Sequence, residues 1–188
     1  MLVVSACASE ESGPDTTGTT SAVTSTIPPS DTSTSGGTTT THLTNATLSI
    51  HVPEGDGPFP AVVLVHGGGW VGGSPDLMTD LARFLTESGF LTVNTGYALS
   101  NGVAGFPMAV DDVACAVRNA TAHPDSDGSV TVVGHSAGAH LAALAALDVG
   151  VYGQGCAVTE PTIPDKLVGL AGPYNVARLG PLIAPFFG

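Results

Sequence analysis

The sequence predicts an α/β protein with a mostly parallel sheet and helices on both faces. Three observations predict it. Four short apolar runs, Ala61–Val65, Phe90–Asn94, Val130–Val133 and Leu167–Ala171, read as strands covered on both sides. Segments of helical periodicity lie between them. The joining loops are short, and strands alternating with helices build parallel sheets with right-handed crossovers.

The elements follow in chain order. Thr47–Val52 alternates Leu48, Ile50 and Val52 with polar residues, as a half-buried strand does. Pro53–Pro60, with three prolines and two glycines, reads as a loop. After Ala61–Val65 comes a glycine-rich turn, His66–Gly73. Ser74-Pro75-Asp76 then opens a helix, with Ser as N-cap and Pro in the first turn. Leu77, Leu81, Phe84 and Leu85 form its apolar stripe, and Gly89 ends it. Leu99–Pro107 is a loop. Met108 to about Ala122 fits a helix with Val110, Val113, Ala114 and Val117 inward and Asp111, Asp112, Arg118 and Asn119 toward solvent. His123–Gly128 is a turn cluster. Ala137–Leu147 is apolar on nearly all sides, as a central helix is. Gly150–Pro164 is a loop.

Composition narrows the functions. The chain has 188 residues, room for one domain, with 16 acidic residues against 4 basic ones and a net charge of −12. Nucleic acid and anionic membrane surfaces are therefore unsuitable partners, since both require Lys and Arg. Apolar residues make up 43%, too many for a wholly disordered chain. No apolar run reaches the roughly 18 residues of a transmembrane helix. Three cysteines make no disulfide-dense scaffold, and no His, Cys, Asp and Glu cluster has ligand spacing. No metal and no cofactor are expected. Oligomeric state has no signature here.

The chain divides into three parts. In residues 8–42, 19 of 35 are Ser or Thr and none is Lys or Arg. Such a stretch buries too little surface to offset its ordering entropy and reads as a disordered tether. Before it, Val4-Ser5-Ala6-Cys7 resembles a bacterial lipobox, whose cysteine is lipidated. Only six residues precede Cys7, so residues 1–7 read as the remnant of a lipoprotein signal; a chance match is the alternative. Acyl chains on Cys7 would anchor the protein without spanning a membrane. The expected location is extracytoplasmic, lipid-anchored on a bacterial surface or secreted. Residues 43–188 carry the core.

Two motifs carry chemistry, both at carboxyl ends of predicted strands, where open α/β sheets place their sites. Gly134-His135-Ser136-Ala137-Gly138 follows a strand and opens a helix, the context that a G-x-S-x-G nucleophile turn requires. Ser136 is the candidate nucleophile, with Gly134 and Gly138 letting neighbouring backbone pass close. His66-Gly67-Gly68-Gly69-Trp70 ends an earlier strand. Backbone N–H groups in such a loop can meet a developing oxyanion, each typically worth ~3–4 kcal/mol of barrier. A flexible turn is the bland alternative; a phosphate loop is disfavoured by the missing Gly-Lys-Ser/Thr.

Together, HGGGW and GHSAG resemble the α/β-hydrolase superfamily over about residues 45–175, nearest the carboxylesterases related to hormone-sensitive lipase and the acetylxylan and feruloyl esterase-like group. The resemblance implies Ser136 as nucleophile of an ester hydrolase, with the N–H groups of Gly68, Gly69 and Ala137 as oxyanion hole. It implies a structural His66 and a Trp70 beside the pocket or in the core. The substrate would be a small-molecule or polysaccharide-linked ester. Kynurenine formamidases share a similar HGGxW signature, so an amide hydrolase of formamidase or peptidase type is one alternative. A non-catalytic lipoprotein on a hydrolase scaffold is another.

In that superfamily the acid and the histidine of the triad come later than Leu167–Ala171. After Ser136 the sole histidine is His140, one helical turn away and badly placed to take a proton. Asp148 and Asp165 read as solvated loop acids, and His42, His51 and His123 as surface residues. The resemblance therefore implies a C-terminally truncated fragment, inactive by itself, of an active parent. Cys115 and Cys156 form a candidate disulfide, the alternative being two separate buried thiols.

Overall fold

The computed structural model describes residues 23–25, 47–101, 105–180 and 183–187. Cys7 and His42 lie outside them. The described residues form a six-stranded sheet in the order β1-β2-β4-β3-β5-β6. Its strands are β1 (Val23–Ser25), β2 (Leu48–His51), β3 (Phe59–Val65), β4 (Leu91–Thr95), β5 (Ser126–His135) and β6 (Lys166–Leu170). The helices are α1 (Thr79–Glu87), α2 (Met108–Ala122), α3 (Ala137–Leu147) and α4 (Ala184–Phe187). β3, β4, β5 and β6 pair in parallel, while β2 joins β4, and β1 joins β2, antiparallel. The α/β class with a mostly parallel sheet is as expected.

Residues 8–42 were expected to lack order throughout. Val23–Ser25 depart from that: they pair with Leu48–Ile50 at the sheet edge. Val23 and Thr24 are β-branched, and β2 offers an open edge to such residues.

The two faces of β3 explain the layers. Ala61, Val63 and Val65 join the large core with residues of α2 and α3, while Val62 and Leu64 pack with Met78 and Ala82 beside α1. Right-handed crossovers require this split. The chain moves one way from β3 to β4 through α1, then back across β3 to β5 through α2 and on to β6 through α3.

Several local expectations change. β3 starts at Phe59, inside the expected loop, and β5 starts at Ser126, inside the expected turn cluster. Phe59 pairs with Ser126, so each extends the other. Ser74 sits extended before a 3-10 turn, Pro75–Met78, but caps nothing with its side chain; its Oγ donates to Asp76 at 3.1 Å. Leu77 and Phe84 are exposed, while Met78 and small Ala82 are buried against β3 with Leu81 and Leu85 partly buried beside them. Gly89 ends α1 as expected: Phe90 N–H donates to Leu85 O and Gly89 N–H to Thr86 O, both at 3.0 Å, the pattern of a left-handed glycine cap.

The larger correction concerns α2. Asp112 and Arg118, expected in solvent, are 4% and 3% exposed. The helix is covered nearly all round, by the sheet, by α3 and by the loop 150–159. Arg118 donates from Nη2 to Tyr152 O (2.8 Å) and from Nη1 to Gly153 O (2.5 Å). Asp111 accepts from Gly153 N–H at 2.7 Å. Cys115 and Cys156 form a disulfide with their Cα atoms 5.3 Å apart.

Candidate active site

β3 and β5 are neighbours whose chains leave in opposite directions, β3 toward β4 and β5 toward β6. That divergence makes a crevice at their carboxyl ends, the topological switch point where α/β sheets bind ligands. Val65 pairs with Gly134, so both sequence motifs emerge side by side in that crevice.

Ser136 stands between β5 and α3 with φ 51° and ψ −119°, a conformation costly for a residue with a side chain. Its N–H donates to Leu170 O at 2.8 Å, tying the turn to the end of β6, and its carbonyl accepts from Ala139 and His140 N–H. It is half-buried and starts α3, so the helix dipole favours negative charge beside it. Gly134 is buried in β5, flanked by Val65 and Gly169. Gly138 is buried where a Cβ would collide with the carbonyl oxygens of Val65 and His66.

The glycine loop comes close to this turn. A Cβ on Gly67 would lie 3.2 Å from Ser136 Cβ and 2.7 Å from His135 Nδ1. Gly68 and Gly69 are exposed, with φ of 132° and 60°. Among the described residues, the N–H groups of Gly68, Gly69 and Ala137 have no backbone acceptor. Donors left open beside a half-buried serine suit an anion or oxyanion.

His66 is 1% exposed. Its Nδ1–H donates to Gly67 O at 2.7 Å, and burial holds its pKa below the usual histidine value. Tyr97 stacks on it at 4.3 Å and donates its hydroxyl to His66 O at 3.2 Å. Trp70 is 4% exposed, between the edge of His140 and the face of Phe186, each centroid at 5.5 Å. It thus belongs to the core.

Trp70, Ser136 and Ala171, with φ of 64°, 51° and 52°, are the described non-glycine residues at positive φ. Each lies beyond the carboxyl end of a parallel strand, the distribution expected of backbone strain at a functional site.

No base stands beside Ser136 among the candidates named from the sequence. His140 is buried against Trp70, and burial lowers its pKa. Asp165 N–H donates to Val130 O and its carboxylate accepts from Val130 N–H, at the middle of β5 and the amino end of β6, the whole of β6 away from the Leu170 carbonyl that holds Ser136. Asp148 is exposed at the end of α3, and His51 and His123 are half-buried elsewhere. No three described His, Cys, Asp or Glu residues group as metal ligands.

The sequence did not reveal Tyr97, Ser100 or Asp112 as supports of the site. Asp112 accepts from Ala98 N–H at 2.8 Å, and burial raises its pKa to about 6 against the opposing effect of that bond.

The chain resembles solved and curated proteins over part of its length. It is 30% identical to a bacterial heroin esterase, with a TM-score of 0.51 over 54% of this chain and 34% of that one. It is 27% identical to a bifunctional GH43-CE protein of Bacteroides eggerthii, with a TM-score of 0.60 over 70% of this chain and 20% of that one. A curated relative, the FAD-linked oxidoreductase pytB of Aspergillus terreus, is 37% identical over 94 residues, 47% of this chain and 11% of that protein. The chain thus spans about a third or less of each. Its sheet order and structural likenesses are those of an α/β-hydrolase. The BD-FAE family model matches residues 48–162, more than half of the sequence, and the chain belongs to that family.

Proposed function

We propose that the whole protein is a carboxylic ester hydrolase with Ser136 as nucleophile. The observation that carries this reading is the contact between Gly67 and Ser136, which brings the strained serine and the open N–H groups of the glycine loop into one crevice. The mechanism has two steps. Ser136 Oγ attacks the ester carbonyl as its proton passes to a base, and the oxyanion gathers against the N–H groups of Gly68, Gly69 and Ala137. The C–O bond to the alcohol breaks, the alcohol takes the proton, and water then releases the acid from the acyl-serine. The base and its acid partner would come from sequence beyond this chain.

The substrate class is a small-molecule or polysaccharide-linked ester, in keeping with the family and the esterase neighbours. We propose a location outside the cytoplasm, with the protein anchored through Cys7 or secreted. The Ser/Thr-rich stretch after Cys7 and the Cys115–Cys156 disulfide support that location, since disulfides persist in oxidising compartments.

A fluorophosphonate probe and a short-chain chromogenic ester test the function. The whole protein should be labelled at Ser136, and Ser136→Ala should lower kcat by roughly 10³-fold or more. The 188-residue chain alone should show little turnover. Hydrolysis undiminished in Ser136→Ala sinks the proposal, and faster cleavage of a matched amide than of the ester transfers it to the amidases.

A further inference from the structure

We propose that Asp112, acting through Tyr97, is a positioning residue for the glycine loop. Its carboxylate anchors the segment after β4, and that segment holds the loop at both ends against the nucleophile turn. The proposal rests on the reading of Ser136 and of Gly68, Gly69 and Ala137 given above.

Asp112 is nearly inaccessible and forms no ion pair among the described residues. A buried carboxylate without a cation is costly, and an apolar side chain on this helix would not carry that cost. The bond it makes is local and specific: it accepts from Ala98 N–H at 2.8 Å. Ala98 lies between two residues that grip the glycine loop. On one side, Tyr97 stacks on His66 and donates to its carbonyl. On the other, Ser100 N–H donates to Trp70 O at 2.9 Å. His66 and Trp70 are the two ends of the loop, and Gly67, Gly68 and Gly69 lie between them. The same segment is pinned further by Gly96 N–H to Thr47 O at 3.0 Å and by Gly105 N–H to Ser100 Oγ at 2.9 Å. Three glycines in a row have little stiffness of their own. Their N–H groups keep a fixed aim because both flanking residues are tied, through one segment, to a helix of the core.

The test uses the whole protein, a short-chain chromogenic ester, and fluorophosphonate labelling to count working sites. Asp112→Ala should lower kcat per labelled site about tenfold with KM little changed, since slight misplacement of oxyanion donors weakens transition-state binding alone. Asp112→Asn keeps an oxygen that accepts from Ala98 N–H and should restore most of that rate. Tyr97→Phe loses only the bond to His66 O; it should lower kcat severalfold while Tm barely moves, which covers the case of an Asp112→Ala protein too unstable to assay. If these variants change Tm but not kcat per labelled site, Asp112 is merely structural and the proposal is overturned. Hydrogen exchange reads the loop directly. Amides of Gly67–Trp70 should exchange about tenfold faster in Asp112→Ala than in wild type, while those of β3 and α3 hold steady. Unchanged loop exchange overturns the proposal even if Ser136 proves not to be the nucleophile; an unlabelled wild-type Ser136 sinks only the esterase reading.

Discussion

Ser136 holds a backbone conformation that costs about 1–3 kcal/mol, and its neighbours keep it there. Leu170 takes its N–H, and Gly138 lets the first turn of α3 press against the end of β3. Two glycine substitutions separate close approach from backbone freedom. In Gly138→Ala the new methyl meets the backbone carbonyls of Val65 and His66, which cannot swing aside, so the variant should lose several kcal/mol, on the order of an overpacked core site. Gly69→Ala meets nothing within 4 Å and pays only for its φ of 60°, roughly 1–2 kcal/mol. Thermal unfolding of the pair checks this; equal Tm values would mean that the contact between turn and strand is looser than it stands here.

Helix α2 supports two regions at once. Asp112 reaches forward to the segment beside the glycine loop, while Asp111, Cys115 and Arg118 hold the loop 150–159. The disulfide closes residues 41 apart in sequence, for which chain entropy gives about 4 kcal/mol at most. Replacing both Cys115 and Cys156 by Ala should therefore lower the unfolding free energy by about 2–4 kcal/mol in denaturant titrations. Arg118 should keep the loop docked, so protease cleavage in 150–159 should not precede global unfolding. The limits of α2 and α3 were legible in the sequence, as were the tight turn at Ser136 and the glycine loop, because each depends on residues a few positions apart. The side on which Asp112 and Arg118 would lie was not legible. Their partners, Ala98 and the carbonyls of Tyr152 and Gly153, become neighbours only when the sheet assembles. Leu77 and Phe84 misled for a similar reason: the buried face includes small Ala82, which a search for bulky apolar residues passes over.

For the molecule as a whole, buried ionisable groups set opposing dependences of stability on pH. Burial lowers the pKa of His51, His66 and His140, so their contribution is full above about pH 6.5 and is lost as pH falls through their folded values. Asp112 runs the other way. Its pKa rises from 3.8 to about 6, so its contribution is full below 3.8 and is lost as pH rises through about 6. The loss is on the order of 3 kcal/mol at neutral pH. Asp112→Asn should raise Tm above pH 7, match wild type near pH 4, and steepen the loss of stability on acidification. A Tm difference independent of pH would show that Asp112 does not titrate in this range. The order of the sheet has a separate consequence, for assembly. From β3 onward, β4 joins one flank, β5 the other, and β6 extends beyond β5, while β2 closes onto β4. No strand has to wedge between two already joined. A chain leaving the ribosome amino end first can therefore build this sheet outward by successive additions, and the crevice between β3 and β5 exists as soon as β5 arrives, before any strand that follows it.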